Sequence, residues 1–503
     1  MNKIIITGND LTIEDVINVA RRKFKVELST GAINNIQKSR EVVDKLVSND
    51  DVVYGITTGF GSLSNVKISK KKTEELQKNL IISHAAGVGS PFNEEIVRAV
   101  MLLRVNTFAK GYSGIRLETV QVLIDFLNKN IYPYVPSKGS VGSSGDLSPL
   151  SHIVLTMLGL GEVILNGERT PSIEALNKSN IKPITLTSKE GLALNNGTPV
   201  MTAIATLLVY DSENLLKQSI MGASLTFEAL QARSSFLDEK VHLARPHAGQ
   251  ILVAKNLRKL IEGSSLINSN INKVQDAYSI RATPVVIGAT LDAIRYVREK
   301  TLIEINSATD NPLIINDEAY SAANFHGQPM ALALDFLKIA LSEIANISDR
   351  RIFRLLDPNL NEGLPAFLIN NSGVNSGFMI PQYTTAALVS ENKVLAHPAS
   401  VDSIPTCANQ EDHVSMGTVA ARNALEIFDN TRKVIAIELL VAAQGVELRD
   451  KNPSPINKQI IGTIREKISR MDIDRIIYTD LELIEQIVVE ETLIKKIKID
   501  LGV

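Results

Sequence analysis

Lys138-Gly139-Ser140-Val141-Gly142-Ser143-Ser144-Gly145-Asp146-Leu147-Ser148-Pro149-Leu150 holds three glycines and four serines, with an acid and a proline just behind. Gly142 and Gly145 can adopt positive φ without a Cβ clash, so the backbone can fold tightly on itself. Ser148 followed by Pro149 reads as an N-cap with proline at the first helical position. The stretch is therefore a tight loop delivered onto the start of a helix. Composition alone suits a flexible Gly/Ser connection. A phosphate cradle fits poorly: the glycine spacing is neither the dinucleotide fingerprint nor a Walker loop, and no strand-like run precedes it. A third reading is chemical. The amide nitrogen of Gly145 can attack the Ser143 carbonyl, and loss of two waters then yields a methylidene-imidazolone. No standard side chain is a good electrophile, so such a ring would act as a built-in cofactor.

The surrounding residues favour the third reading. Gly139 to His152, GSVGSSGDLSPLSH, closely resembles the cofactor-forming loop of the aromatic amino-acid ammonia-lyases and aminomutases. Ala-Ser-Gly is the commonest triplet there, and Ser143 here replaces the alanine. The resemblance implies a methylidene-imidazolone formed from Ser143, Ser144 and Gly145, with no external cofactor and no metal.

The same resemblance extends along nearly the whole chain. Val52 to Ser62 contains YGITTGFG, by composition a glycine-punctuated turn; it is similar to the family's mobile lid, whose tyrosine, here Tyr54, serves as acid/base. His84, in SHAAGVG, would ordinarily be a packed histidine; the resemblance makes it a contact to the substrate ring. Asn195-Asn196-Gly197-Thr198 reads as a turn, and the family element places Asn196 beside the cofactor. Gln275-Asp276-Ala277-Tyr278-Ser279-Ile280-Arg281 puts Tyr278 and Arg281 on one helical face. It resembles a family signature in which Arg281 holds the substrate carboxylate, Tyr278 orients substrate and cofactor, and Gln275 adds a polar contact. Phe325, in Asn324-Phe325-His326-Gly327-Gln328, resembles a stacking ring. Asn409-Gln410-Glu411-Asp412-His413 has no usual metal-ligand spacing and suits a solvated loop. In family terms Glu411 binds an imidazole, which a carboxylate does by accepting its ring N–H.

Bulk properties set the frame. At 503 residues and 44% hydrophobic, the chain can bury a large core in more than one domain. The net charge of −2 gives no reason to expect nucleic acid or an acidic membrane surface. Cys407 is the single cysteine, so no internal disulfide is possible and a reducing cytoplasm suits the chain. The N-terminal apolar run is too short for a secretory signal.

A short strand over 3–7, a helix capped by Thr12, helices through 30–50 and 70–83, and a β-rich stretch at 160–185 are expected. Beyond about residue 200 the pattern becomes long-period helical. Met330, Leu334, Leu337, Leu341 and Ile344 mark a face that Phe336, Ile339 and Ala340 widen, which predicts a helix buried nearly all round. Glu438, inside an apolar helical run, needs a partner, expected across a subunit interface. The tail after 456 is charged and helical. The predicted fold is mainly α: a long-helix bundle over 201–503 and a smaller N-terminal α+β domain over 1–200 carrying the cofactor loop.

The activity implied by the resemblance is elimination of ammonia from L-histidine, giving urocanate, by a homotetramer with shared active sites. Tyrosine as substrate, or an aminomutase reaction, fits His84 but not Glu411. A non-catalytic helical homologue remains the alternative if the ring does not form.

Overall fold

Helices dominate the computed structural model, which describes residues 2–49, 51–61, 68 and 72–502; Ser62 and the start of the expected 70–83 helix lie outside those residues. The protein is mainly α, and its described strands form four two-stranded sheets. Two compact units divide the chain. One takes Met1–Leu207, Arg298–Asp335 and Pro398–Arg422; the other takes Leu208–Val297, Phe336–His397 and Asn423–Val503.

In the first unit, strand Lys3–Ile6 pairs in parallel with Lys25–Leu28. Between them lies helix Ile13–Ala20. The Thr12 hydroxyl accepts the Asp15 N–H, and the Asp15 carboxylate accepts the Thr12 N–H, a reciprocal cap that fixes the helix start. Helix Thr30–Ser48 is capped by Ser29, whose hydroxyl accepts the Ala32 N–H. Helix Glu94–Ala109 is buried from Ile96 to its end, Arg98 and Arg104 included.

Two local expectations need correction. Ser148 and Pro149 do not open their helix, which runs Leu147–Met157 with Asp146 at the N-cap position. The Asp146 side chain makes no capping bond there. It is drawn instead to the amides of Val200 and Met201 at the start of another helix. The 160–185 stretch is β only as far as Pro171. Glu162–Leu165 and Glu168–Pro171 form a hairpin around Asn166-Gly167, both at positive φ. Helix Ser172–Lys178 follows, burying Ser172, Ala175 and Leu176 at spacings of three and four.

Four long helices carry residues of both units: Pro199–Ala229, Thr283–Ile305, Gln328–Leu356 and Gly417–Glu447. The third is not buried all round. Met330, Leu334, Leu337, Leu341 and Ile344 are buried as expected, but Phe336 is 46% and Ile339 44% exposed. Its outer face is left uncovered by the described residues of the chain, unlike helix Pro199–Ala229, which is buried on nearly every side. Among the described residues no helix is long and apolar enough to cross a membrane.

Glu438 finds its partner inside its own unit, not across an interface. Both carboxylate oxygens meet the fully buried Arg351 guanidinium, at 2.5 and 2.7 Å. Thr226 donates to the carboxylate at 3.0 Å, and Ser348 donates as well. Thr283 accepts from Arg351 at 3.3 Å. A buried pair so closely satisfied contributes little net stability, but breaking it leaves a lone buried charge. Arg351→Met is expected to lower the unfolding free energy by about 3–5 kcal/mol. The double variant Arg351→Met/Glu438→Leu should regain most of that in urea titrations. Equal losses in both variants would contradict the ion-pair account.

Candidate active site

A fully buried carboxylate organises the loop. Asp146 Oδ2 accepts the N–H groups of Val200 at 2.9 Å and Met201 at 3.1 Å, at the buried positive end of helix Pro199–Ala229. Oδ1 accepts the hydroxyls of Thr418 at 2.5 Å and Ser140 at 3.2 Å. Burial pushes the Asp146 carboxyl up to about 6, the donors from Thr418, Met201, Val200 and Ser140 only partly offsetting it. Nearby Glu304, bonded by the Thr198 hydroxyl at 2.6 Å, is also raised, chiefly by burial.

Other strands of chain pin the same loop from the sides. Met416 N–H donates to Val141 O at 2.8 Å, and the Ser415 hydroxyl donates to Gly142 O at 2.9 Å. Asp146 N–H donates to Gly197 O at 2.7 Å. Gly145 sits at φ +74, and a Cβ there would lie 1.9 Å from Gly197 O, so only glycine fits.

The Ser144 carbonyl oxygen accepts from Asn196 Nδ2 at 3.2 Å and from Gly197 N–H at 3.3 Å. Those two donors face an oxygen that would become the exocyclic carbonyl of a ring built from 143–145, so the residues present fit such a group. Arg104 fixes the donors in turn. Its buried guanidinium donates to Asn196 O at 2.7 Å, Thr309 O at 3.2 Å and Ala193 O. Burial brings Arg104 down to about 10.

Ser143, Ser144 and Asn196 line a cavity of about 540 Å³, together with Tyr54, Phe325 and Glu411. That volume suits a small amino acid with room for water. Glu411 spans the loop: Ser143 Oγ donates to its Oε2 at 2.8 Å and Ser144 Oγ to its Oε1 at 2.6 Å. Thr406 Oγ1 also donates to Oε2, at 2.6 Å. Burial alone would raise Glu411, but the hydroxyls of Ser144, Thr406 and Ser143, with His84 nearby, outweigh it and hold the carboxyl below its ordinary value.

Tyr54 is half-buried, and its oxygen accepts the Gly61 N–H at 3.3 Å. Burial pushes the phenol up, so it is protonated at neutral pH. Its segment is anchored below: Ile56 is buried against Val43 and Ile314, and Gly55 at φ +70 packs on Leu192. His84 ends helix Thr73–His84 and bonds Ser83 Oγ at 3.0 Å. It does not line the cavity, yet it lies within electrostatic reach of Glu411; burial lowers it, leaving a neutral imidazole near pH 7.

Gln275, Tyr278 and Arg281 belong to the second unit, and none of them lines the cavity. Tyr278 is 74% exposed, with the Arg281 guanidinium 4.4 Å from its ring centre. Arg281 Nε donates to Asp276 O at 3.1 Å. Buried Asp276 pairs with Lys273 at 2.6 Å and accepts the Arg233 N–H at 2.7 Å, which holds the segment.

Several residues escaped the sequence reading. The 409–413 stretch is largely solvent-exposed, as expected, and it is also a cavity wall: Gln410, Asp412 and His413 line it beside Glu411. His413 and His326 stack in parallel, ring centres 5.8 Å apart. Asp146, Arg104 and Thr406 carry no spacing signal, since their partners lie 54, 92 and 5 residues away in non-repeating contexts.

A family model described as aromatic amino acid lyase matches residues 11–466. The chain is 55% identical over 502 residues to the histidine ammonia-lyase of Alkaliphilus oremlandii, covering 99% of both. A solved tyrosine aminomutase from Streptomyces globisporus superposes with a TM-score of 0.95 at 37% identity, covering 99% of this chain and 100% of that one. For the histidine ammonia-lyase of Trypanosoma cruzi the TM-score is 0.92 at 42% identity, covering 98% and 94%.

Asp146 makes a pH signature measurable. Its proton is held more tightly in the folded chain than in the unfolded one, whose carboxyl has the ordinary value near 3.8. Stability is therefore lost as pH rises from about 4 to about 6, by roughly 3 kcal/mol at about 1.4 kcal/mol per pH unit. Asp146→Asn keeps the shape and the acceptor but does not titrate. The parent is expected to lose stability relative to this variant across that window in urea titrations. Parallel curves would contradict the assignment.

Proposed function

Because the chain belongs to the aromatic amino acid lyase family, we propose that it eliminates ammonia from L-histidine to give trans-urocanate. The observation that carries this reading is the Glu411 carboxylate in the cavity wall, bonded to Ser143 and Ser144. The name of the Alkaliphilus relative supports the same substrate.

The electrophile is a methylidene-imidazolone closed from Ser143, Ser144 and Gly145; when formed, it supplies a carbon that accepts electron density from the amino acid. The chain's own residues do the rest. Asn196 and Gly197 hold the Ser144 carbonyl oxygen and stabilise negative charge that gathers there. Among the described residues Asn196 Oδ1 has no hydrogen-bond partner, and it offers an acceptor to the substrate ammonium. Glu411 accepts an imidazole N–H, and neutral His84 stands ready as its second contact. Phe325 stacks on the ring. Tyr54, protonated at rest, exchanges a proton at its phenolic oxygen. The 52–62 segment acts as a lid that limits water.

Gln275, Tyr278 and Arg281 serve the site of a neighbouring subunit in a homotetramer. The exposure of Tyr278 and of Phe336 and Ile339 supports this assembly. Arg281 would meet the substrate carboxylate with two parallel N–H bonds. A cytoplasmic location suits the lone reduced cysteine.

Glu411→Gln is expected to cut histidine turnover by about 10²-fold, followed as urocanate absorbance. Coumarate from tyrosine exceeding urocanate from histidine would move the assignment to the tyrosine enzymes, and an unchanged rate in the variant would remove Glu411 from recognition. Shared sites have their own test. Tyr54→Phe and Arg281→Ala, each nearly inactive alone, should recover part of the activity when co-expressed. No recovery would place both residues in one subunit's site.

A further inference from the structure

The hydroxyl bonds around Glu411 are uneven. Oε2 takes two donors, Ser143 Oγ at 2.8 Å and Thr406 Oγ1 at 2.6 Å, which fill both of its lone pairs. Oε1 takes Ser144 Oγ, at 2.6 Å. The two sets have different fates if the ring closes. Gly145 N bonds to the Ser143 carbonyl carbon, and the Ser143 carbonyl oxygen leaves as water with the hydrogens of the Gly145 and Ser144 amides. The second water takes the Ser144 hydroxyl and its α-hydrogen, leaving the exocyclic double bond. Neither step touches the side chains of Ser143 or Thr406.

From this we infer that Ser143 and Thr406 are positioning residues that pin Glu411 Oε2, while loss of the Ser144 hydroxyl opens Oε1 to the substrate's imidazole N–H. The inference rests on the histidine reading and adds how the site becomes able to bind. Ser143 thus has two separate parts: its carbonyl is consumed in the ring, and its hydroxyl stays to orient the carboxylate. Thr406 is suited to the second part because it pairs with Glu411 across a tight backbone bridge, Thr406 N–H donating to Glu411 O at 3.0 Å. With Oε2 saturated, the carboxylate cannot rotate without breaking two charge-assisted bonds. The opened Oε1, half-buried in the cavity wall, needs a donor, and a neutral imidazole brings one.

The test separates binding from turnover. 3-(Imidazol-4-yl)propionate has the substrate's ring and carboxylate but no amine to eliminate, and 3-phenylpropionate lacks the ring N–H. Both are titrated calorimetrically into the full mature enzyme, into Ser143→Ala and into Thr406→Val, with intact mass recorded for each protein. The expected result is a roughly tenfold weaker Kd for the imidazole acid in each variant, the size of one bond to a charged group. Binding of the phenyl acid should hold, and each variant should still lack two waters. Unchanged imidazole binding, or equal weakening of both acids, would overturn the clamp. So would a Ser143→Ala protein that keeps its waters, since the hydroxyl would then serve ring closure instead. If the parent makes no urocanate from histidine, the underlying reading fails; if it does and the variants bind like the parent, only the clamp fails.

Discussion

Asp146 holds a buried negative charge against the amide end of helix Pro199–Ala229 and two hydroxyls, and the catalytic loop hangs from that contact. Burial without partners would neutralise such a group. Four donors let it keep partial carboxylate character at a raised value of about 6. The geometric effect is stronger than the energetic one. Because Asp146 faces Val200 and Met201, the preceding Gly145 is pressed against Gly197 so closely that no Cβ could enter. The Ser144 carbonyl is thereby turned toward Asn196 and Gly197. Three consecutive residues are fixed in a compact arrangement that an unanchored Gly/Ser loop would visit rarely, since each ordered backbone residue costs about 1–2 kcal/mol in entropy.

The cavity beside the loop pairs groups whose environments drive them apart. Burial lowers His84 and raises Tyr54, so both are neutral near pH 7. Glu411 goes the other way, because hydroxyl donors overcome its burial. One acceptor charge thus stands among neutral donors, an arrangement matched to a substrate ring that brings an N–H. The same rule, desolvation against hydrogen bonding, accounts for all three.

Much of this was legible in the chain because short motifs carry local geometry. The glycines at 142 and 145 announced a tight loop, and both take positive φ. Thr12 announced a helix start and caps it through Asp15. The 330–347 periodicity announced a helix, but periodicity reports only which residues are apolar, not how many neighbours one chain can supply; Phe336 and Ile339 therefore ended outside. Glu438 demanded a partner, but nothing near it in sequence pointed to Arg351, 87 residues earlier. Ser148 looked like a cap because caps are local; the long-range pull on Asp146 decided otherwise. Arg104 and Thr406, which steady Asn196 and Glu411, were silent for the same reason. The interleaving of three segments in each unit is likewise set by tertiary packing.

The central claim is that Ser143, Ser144 and Gly145 close into a ring. The most direct measurement is the intact mass of the purified full chain, with the peptide spanning 139–152 isolated to locate any change. The account predicts a chain lighter than its sequence by two waters, both missing from that peptide. A mass equal to that of the open sequence, in protein that converts no histidine, would contradict it.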